Sequence, residues 1–145
     1  MKSVLDAYAL VATLVGEPAR VLVEPLLATA ILGAPSLAEV VDVCVRRHGN
    51  AIDDVRERVR WLRAGGLVVA AADEALATAA GTLRARRYRA RAAEVSLGDC
   101  FAAELARARE LPLATADPAL AQVAWAEGIE VLTLPDSRGR RPSRR

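Results

Sequence analysis

Residues 97–120 read LGDCFAAELARARELPLATADPAL, and the order of residue types in them decides the fold class. From Gly98 to about Arg109 the pattern is helical, with Arg107 and Arg109 placed where cations suit the end of a helix dipole. Leu111 to Ala114 is an apolar run of strand length. Asp117-Pro118 then opens a second helix, with an N-cap residue followed by proline at the first helical position. A strand flanked closely by helices finds its sheet neighbours through crossovers, so the sheet it joins should be parallel.

The same alternation extends in both directions. Ser3 to Leu5 reads as a strand feeding a helix from about Ala7 to Val15, which Gly16-Glu17-Pro18 stops. A helix is expected over Glu17 to Leu27, a strand over Ala30 to Gly33, and a helix opened by Pro35-Ser36 and closed near Gly49. Asp53 to Arg63 is helical, Leu67 to Ala70 a strand, and Asp73 to about Ala90 a long helix with acids first and arginines last. Ile129 to Thr133 is the final strand. The expected fold class is therefore α/β, a three-layer α/β/α sandwich around a mostly parallel sheet, in one domain over residues 1–135. Residues 136–145, SRGRRPSRR after Asp136, lack an apolar anchor and are expected to be a disordered basic tail.

Composition narrows the chemistry. The longest charge-free run, Pro25 to Ala38, is too short for a membrane span of about 20 residues. Lys2 ahead of an apolar stretch has the look of a secretion signal, but Asp6 interrupts it, so a cytoplasmic protein is expected. Cys44 and Cys100 sit apart in apolar helical patterns and read as buried thiols. With His48 the only histidine, Ser-His-Asp, Cys-His and multi-histidine zinc chemistry have little support. Nineteen of the twenty basic residues are arginine, and they cluster in RARRYRAR (84–91) and in the tail, where either phosphate contact or plain solvation would suit them.

Four acids then stand out, because each follows a strand or falls in the first turn of a helix: Asp6, Glu39, Asp99 and Asp117. Singly, each has a capping role. Ser36-x-x-Glu39 and Ser96-x-x-Asp99 have the form of capping boxes, and Asp117 and Asp6 of N-caps. Together they are harder to dismiss, since a parallel sheet delivers all its strand ends to one edge. Carboxylates gathered there repel one another, and a hard divalent cation such as Mg²⁺ or Mn²⁺ resolves the conflict. Such an ion can acidify a water and orient a phosphodiester for attack. Thr115 belongs to the same edge, either capping the strand end or bonding a phosphate there.

The order Asp6 in VLDAYALVATLVGEP, Glu39 in PSLAEVVDV, Asp99 and Asp117 in SLGDCFAAELARARELPLATADPAL, then GIEVL, resembles the PIN-domain ribonucleases, and among them the VapC-type toxins of bacterial toxin–antitoxin pairs. The likeness covers about residues 2 to 134. It implies a Mg²⁺- or Mn²⁺-dependent endoribonuclease acting on structured RNA such as tRNA or rRNA, a homodimer, and a small VapB-type antitoxin whose tail fills the active-site groove. It also places the family's acidic quartet on Asp6, Glu39, Asp99 and Asp117, and its strand-end hydroxyl on Thr115. Tyr8 stands where many relatives have a small hydroxyl residue, and Asp42 reads as a solvated helix residue. Two alternatives stay open: a non-catalytic PIN-fold module that binds RNA or antitoxin, and a solitary RNA-processing nuclease. A receiver-type phosphoacceptor is disfavoured because the only lysine, Lys2, precedes the first acid, and a haloacid-dehalogenase-type phosphatase because Tyr8 replaces its second aspartate.

Overall fold

A computed structural model describes residues 1–145. The five expected strands all form: β1 (Val4–Leu5), β2 (Ile31–Gly33), β3 (Val68–Ala70), β4 (Leu113–Thr115) and β5 (Val131–Thr133). Every pairing is parallel, and the order across the sheet is β3-β2-β1-β4-β5. Seven helices connect them: α1 (Ala7–Val15), α2 (Arg20–Val23), α3 (Ala34–Arg46), α4 (Ile52–Ala64), α5 (Glu74–Arg87), α6 (Leu97–Arg109) and α7 (Pro118–Ala126).

Successive strand residues point to opposite faces, and the core divides accordingly. Leu5, Leu32 and Ala114 belong to one apolar cluster with Leu10, Val40 and Val55 of α1, α3 and α4. Val4, Ile31 and Leu113 belong to the other, with Leu83, Cys100 and Leu120 of α5, α6 and α7. The sheet is thus covered on both sides, as a parallel sheet requires. Both cysteines are free and buried within these layers. No helix is long and apolar enough to cross a membrane.

Two helix boundaries differ from the sequence expectation for identifiable reasons. The helix expected over Glu17 to Leu27 is a single turn, α2, followed by a 3₁₀ segment at Glu24–Thr29. Pro25 enters at the first turn of that segment, where its missing N–H breaks a continuous α-ladder. Helix α3 starts at Ala34 rather than at Pro35-Ser36, capped by the extended Gly33. Ser36 is consequently inside the helix with no side-chain cap bond, and the Ser36/Glu39 capping box does not form. Glu39 is left free of any helix-start role.

The segment after Pro135 folds back on α7. Asp136 accepts from the backbone N–H groups of Arg138 and Arg140 at 2.8 and 2.9 Å, closing a turn. Gln122 Nε2 donates to the Ser143 carbonyl at 2.7 Å, and Pro142 is buried.

One glycine is demanded by its neighbours. Gly66, between α4 and β3, has φ of 122°, and a Cβ there would lie 2.2 Å from the backbone oxygen of Ala28. Gly66→Ala is expected to destabilise the protein by about 2–3 kcal/mol, since backbone rather than a flexible side chain must yield. Urea unfolding midpoints of variant and parent check this.

Candidate active site

The chain runs outward from β1 through β2 to β3, then returns to the other side of β1 for β4 and β5. The order therefore reverses between β1 and β4, and ligands of open α/β sheets bind beyond the strand ends at that point. Asp6 follows β1 and Asp117 follows β4. The Asp6 N–H donates to the Ala114 carbonyl at 3.2 Å, which keeps the two strand ends in step as they leave the sheet.

Three of the acids are indeed helix caps. Asp6 Oδ1 accepts from the Ala9 N–H at 2.8 Å, and Asp117 Oδ1 from Ala119 and Leu120 at 2.7 and 3.3 Å. Asp99 forms the reciprocal box, its Oδ2 taking the Ser96 N–H at 2.9 Å while Ser96 Oγ takes the Asp99 N–H at 3.0 Å. Each cap bond engages one carboxylate oxygen, so capping and cation binding are compatible in a single side chain. Asp117 Oδ2, for instance, has no hydrogen-bond partner in the protein. Thr115, fully buried, accepts the Asp117 N–H at 3.0 Å through Oγ1, which fixes the hydroxyl at the β4 end.

Glu39 arrives from the second turn of α3. Its Oε2 lies so close to α6 that a methyl group on Gly98 would touch it at 3.6 Å. The carboxylate thus sits against the positive end of α6, beside Asp99.

Electrostatics describe the gathering. Burial, only partly offset by the Thr115 hydroxyl and the Ala9 N–H, pushes the Asp6 carboxyl up to about 7, and the nearby charges of Asp99 and Asp117 push the same way. No lysine or arginine acts on it. Burial likewise raises Asp99, with Asp117 adding to the rise and the Ser96 bonds opposing it. Glu39 is raised first by burial and then by Asp99, Asp42 and Asp117. Each of these acids feels at least one other, yet no three His, Cys, Asp or Glu side chains stand close enough to form a ready-made cation cage.

In charge and donor type the set fits a hard divalent cation. Its openness suits Mg²⁺ or Mn²⁺ better than a closed four-ligand zinc site, because Mg²⁺ commonly takes one or two carboxylates and completes its shell with water and phosphate.

Neighbouring residues have other employment. Tyr8 donates its hydroxyl to Glu17 Oε2 at 3.0 Å rather than to an acid of the site, and burial with that bond raises its pKa. Asp42 pairs with Arg46 at 3.0 and 2.8 Å on the solvated face of α3.

The profile of the PIN domain family matches residues 3–126. The chain belongs to the PIN domain family. No curated protein matches it in sequence. Among solved structures, this PIN domain is similar to Mycobacterium tuberculosis VapC20, a sarcin–ricin loop cleaving toxin, with 16% identity, a TM-score of 0.66, and coverage of 89% of this chain and 96% of that one. It is similar to FitAcB from Neisseria gonorrhoeae at 22% identity and a TM-score of 0.63, covering 91% and 96%. A toxin–antitoxin complex from Klebsiella pneumoniae gives 16% identity, a TM-score of 0.60, and coverage of 79% and 86%. At these identities the likeness is one of fold.

One junction that sequence reading missed in this PIN domain lies at the other end of α7 from Asp117. Glu127, at the end of α7, binds Arg86 at 2.7 Å, Arg87 and Arg107, and Arg107 also reaches the buried Glu104. Burial alone would raise the Glu127 carboxyl, but the guanidiniums of Arg107, Arg87 and Arg86 overcome that and hold it at about 2. The Glu104/Arg107 spacing was legible as a helix pair. The meeting of three helices at Glu127 has no local signature.

Proposed function

We propose that this protein is a divalent-metal-dependent endoribonuclease and the toxin of a VapBC-type pair. The supporting observation is the sheet edge at β1 and β4, where Asp6 is buried without any cationic partner among further acids. A buried carboxylate so placed is costly unless a cation meets it.

In this reading Asp6, Asp99 and Asp117 hold the cation, with Glu39 completing the set from α3. A bound Mg²⁺ or Mn²⁺ would supply charge neutralisation and acidify a water for attack on phosphorus. Asp117 is anchored through Oδ1 to the α7 start, and Asp99 through Oδ2 to Ser96, so neither carboxylate needs to reorganise. Thr115 supplies a fixed hydroxyl at the β4 end for water or a phosphate oxygen. No histidine or serine nucleophile is called for.

The substrate in this reading is structured RNA such as tRNA or rRNA, and the M. tuberculosis neighbour is named as a toxin that cleaves the sarcin–ricin loop. The proposed VapB-type antitoxin partner is supported by the K. pneumoniae neighbour, solved as a toxin–antitoxin complex, while FitAB is solved bound to a DNA fragment. Homodimeric assembly and a cytoplasmic location belong to the same proposal.

Incubation of purified protein with total RNA, followed by mapping of the new ends, tests it. Cutting is expected with Mg²⁺ or Mn²⁺ and should disappear in EDTA. Cutting undiminished in EDTA would exclude the mechanism, and RNA binding without cutting in either metal would favour a non-catalytic module. An open reading frame for a small antitoxin beside the gene separates the toxin from a solitary RNA-processing enzyme.

A further inference from the structure

The arginines of residues 84–91 and of the tail are not equivalent. Arg84 donates Nε to the Val95 carbonyl at 2.9 Å and stacks over Tyr88 at 4.5 Å. Arg86 and Arg87 are spent on Glu127, and Arg89 turns back to the Tyr88 carbonyl at 2.7 Å. Arg140 pairs with Asp136 at 3.1 Å. Their charges are already balanced or bonded inside the fold.

Arg91, Arg138, Arg141, Arg144 and Arg145 have no hydrogen-bond or ion-pair partner for their side chains. Two of these, Arg91 from the loop between α5 and α6 and Arg145 from the tail, line the same pocket, of about 360 Å³. Asp117, of the proposed catalytic set, lines it too, together with Glu94, Ala119 and Gln122. The convergence is built rather than accidental. The antiparallel bridge between Arg89 and Ala93 turns the loop that bears Arg91. On the other side, the Asp136 turn, the buried Pro142 and the Gln122–Ser143 bond lay the tail over α7 as far as Arg145.

The acids facing these arginines are Glu94 and Asp117, and neither forms a salt bridge with Arg91 or Arg145. An unpaired guanidinium pair beside an acid of the reaction centre is suited to an RNA phosphate, which it can bind with paired N–H donors. Resting on the nuclease reading, we propose that Arg91 and Arg145 form a phosphate subsite that holds the RNA backbone next to the scissile bond, so the tail is part of the substrate-binding surface.

The test is binding of a fluorescein-labelled single-stranded oligoribonucleotide of mixed sequence in EDTA, where no cutting contributes to the signal. Arg91→Gln and Arg145→Gln should each weaken binding about threefold to tenfold. Their combination should reduce the slope of log affinity against log salt by about 1.4, at ~0.7 per phosphate contact on a single strand. Arg144→Gln, which makes the same charge change on the tail outside the pocket, should bind within about twofold of the parent.

Equal loss in Arg144→Gln would mean diffuse tail charge and overturn the subsite. So would parental affinity and salt slope in the double variant, or no measurable binding by the parent. Because the readout is binding, failure of the parent to cut RNA in Mg²⁺ would sink the nuclease reading alone.

Discussion

Asp99→Asn is expected to lower RNA cutting in Mg²⁺ or Mn²⁺ by at least about a thousandfold while leaving the fold intact. The substitution separates the two duties of this residue. Its structural duty is to accept the Ser96 N–H at 2.9 Å, and an asparagine carbonyl oxygen can accept the same bond. The reciprocal bond, from the Asp99 N–H to Ser96 Oγ, is made by backbone and does not change. What disappears is a negative charge in a half-buried place near Asp117 and Glu39. Cation affinity should fall, and the thermal midpoint in EDTA should hold or rise because a repulsion is relieved. Ser96→Ala makes the opposite cut. It removes a helix cap, costing about 1 kcal/mol, yet keeps the carboxylate, so it should lower the midpoint while cutting persists. Circular dichroism melts and a cleavage time course on the two variants distinguish them. An Asp99→Asn protein that still cuts RNA would remove Asp99 from the catalytic set.

The contrast shows where sequence reading succeeds and where it stops. Strand and helix periodicity placed all five strands, because buried parallel strands are written as short apolar runs between amphipathic segments. Asp6, Asp99 and Asp117 were legible for a similar reason: their roles as caps are local, set by residues at most three positions away. Glu39 was misjudged at the local level. The Gly33-Ala34-Pro35 start moves the N-cap from Ser36 back to Gly33, and this turns an apparent capping box into a second-turn acid facing α6. The Glu127 junction and the Arg91–Arg145 pocket were not legible at all. Both join residues more than fifteen positions apart, and the partner of an arginine at that range is chosen by helix packing, which leaves no periodic trace. The tail illustrates the same limit, since a buried Pro142 and one bond from Gln122 seat a segment whose composition suggests only solvent.

Asp6→Asn should make the metal-free protein more stable than the parent, and the gain should depend on pH. The Asp6 carboxyl rises from 3.8 to about 7 in the folded chain, first because it is buried. Folded protein therefore holds this proton more tightly than unfolded protein does. Any stability linked to that proton is complete below about pH 4, falls as pH rises through about 7, and is absent above. A shift of this size corresponds to roughly 4 kcal/mol at pH 8. Asparagine keeps an oxygen for the Ala9 N–H and carries no charge, so the variant escapes the loss. Other acids titrate in the same experiment, including Glu127, held near 2 by its arginines. They are common to both proteins, and the difference between parent and variant isolates Asp6. Urea unfolding in EDTA should give nearly equal stabilities at pH 4 and a gap favouring the variant at pH 8. Mg²⁺ should then close that gap by stabilising the parent and not the variant, because a cation at Asp6 returns its carboxyl to the charged form. A gap that did not change between pH 4 and pH 8 would mean that folding does not raise the Asp6 carboxyl, and the reason for placing a cation there would be gone.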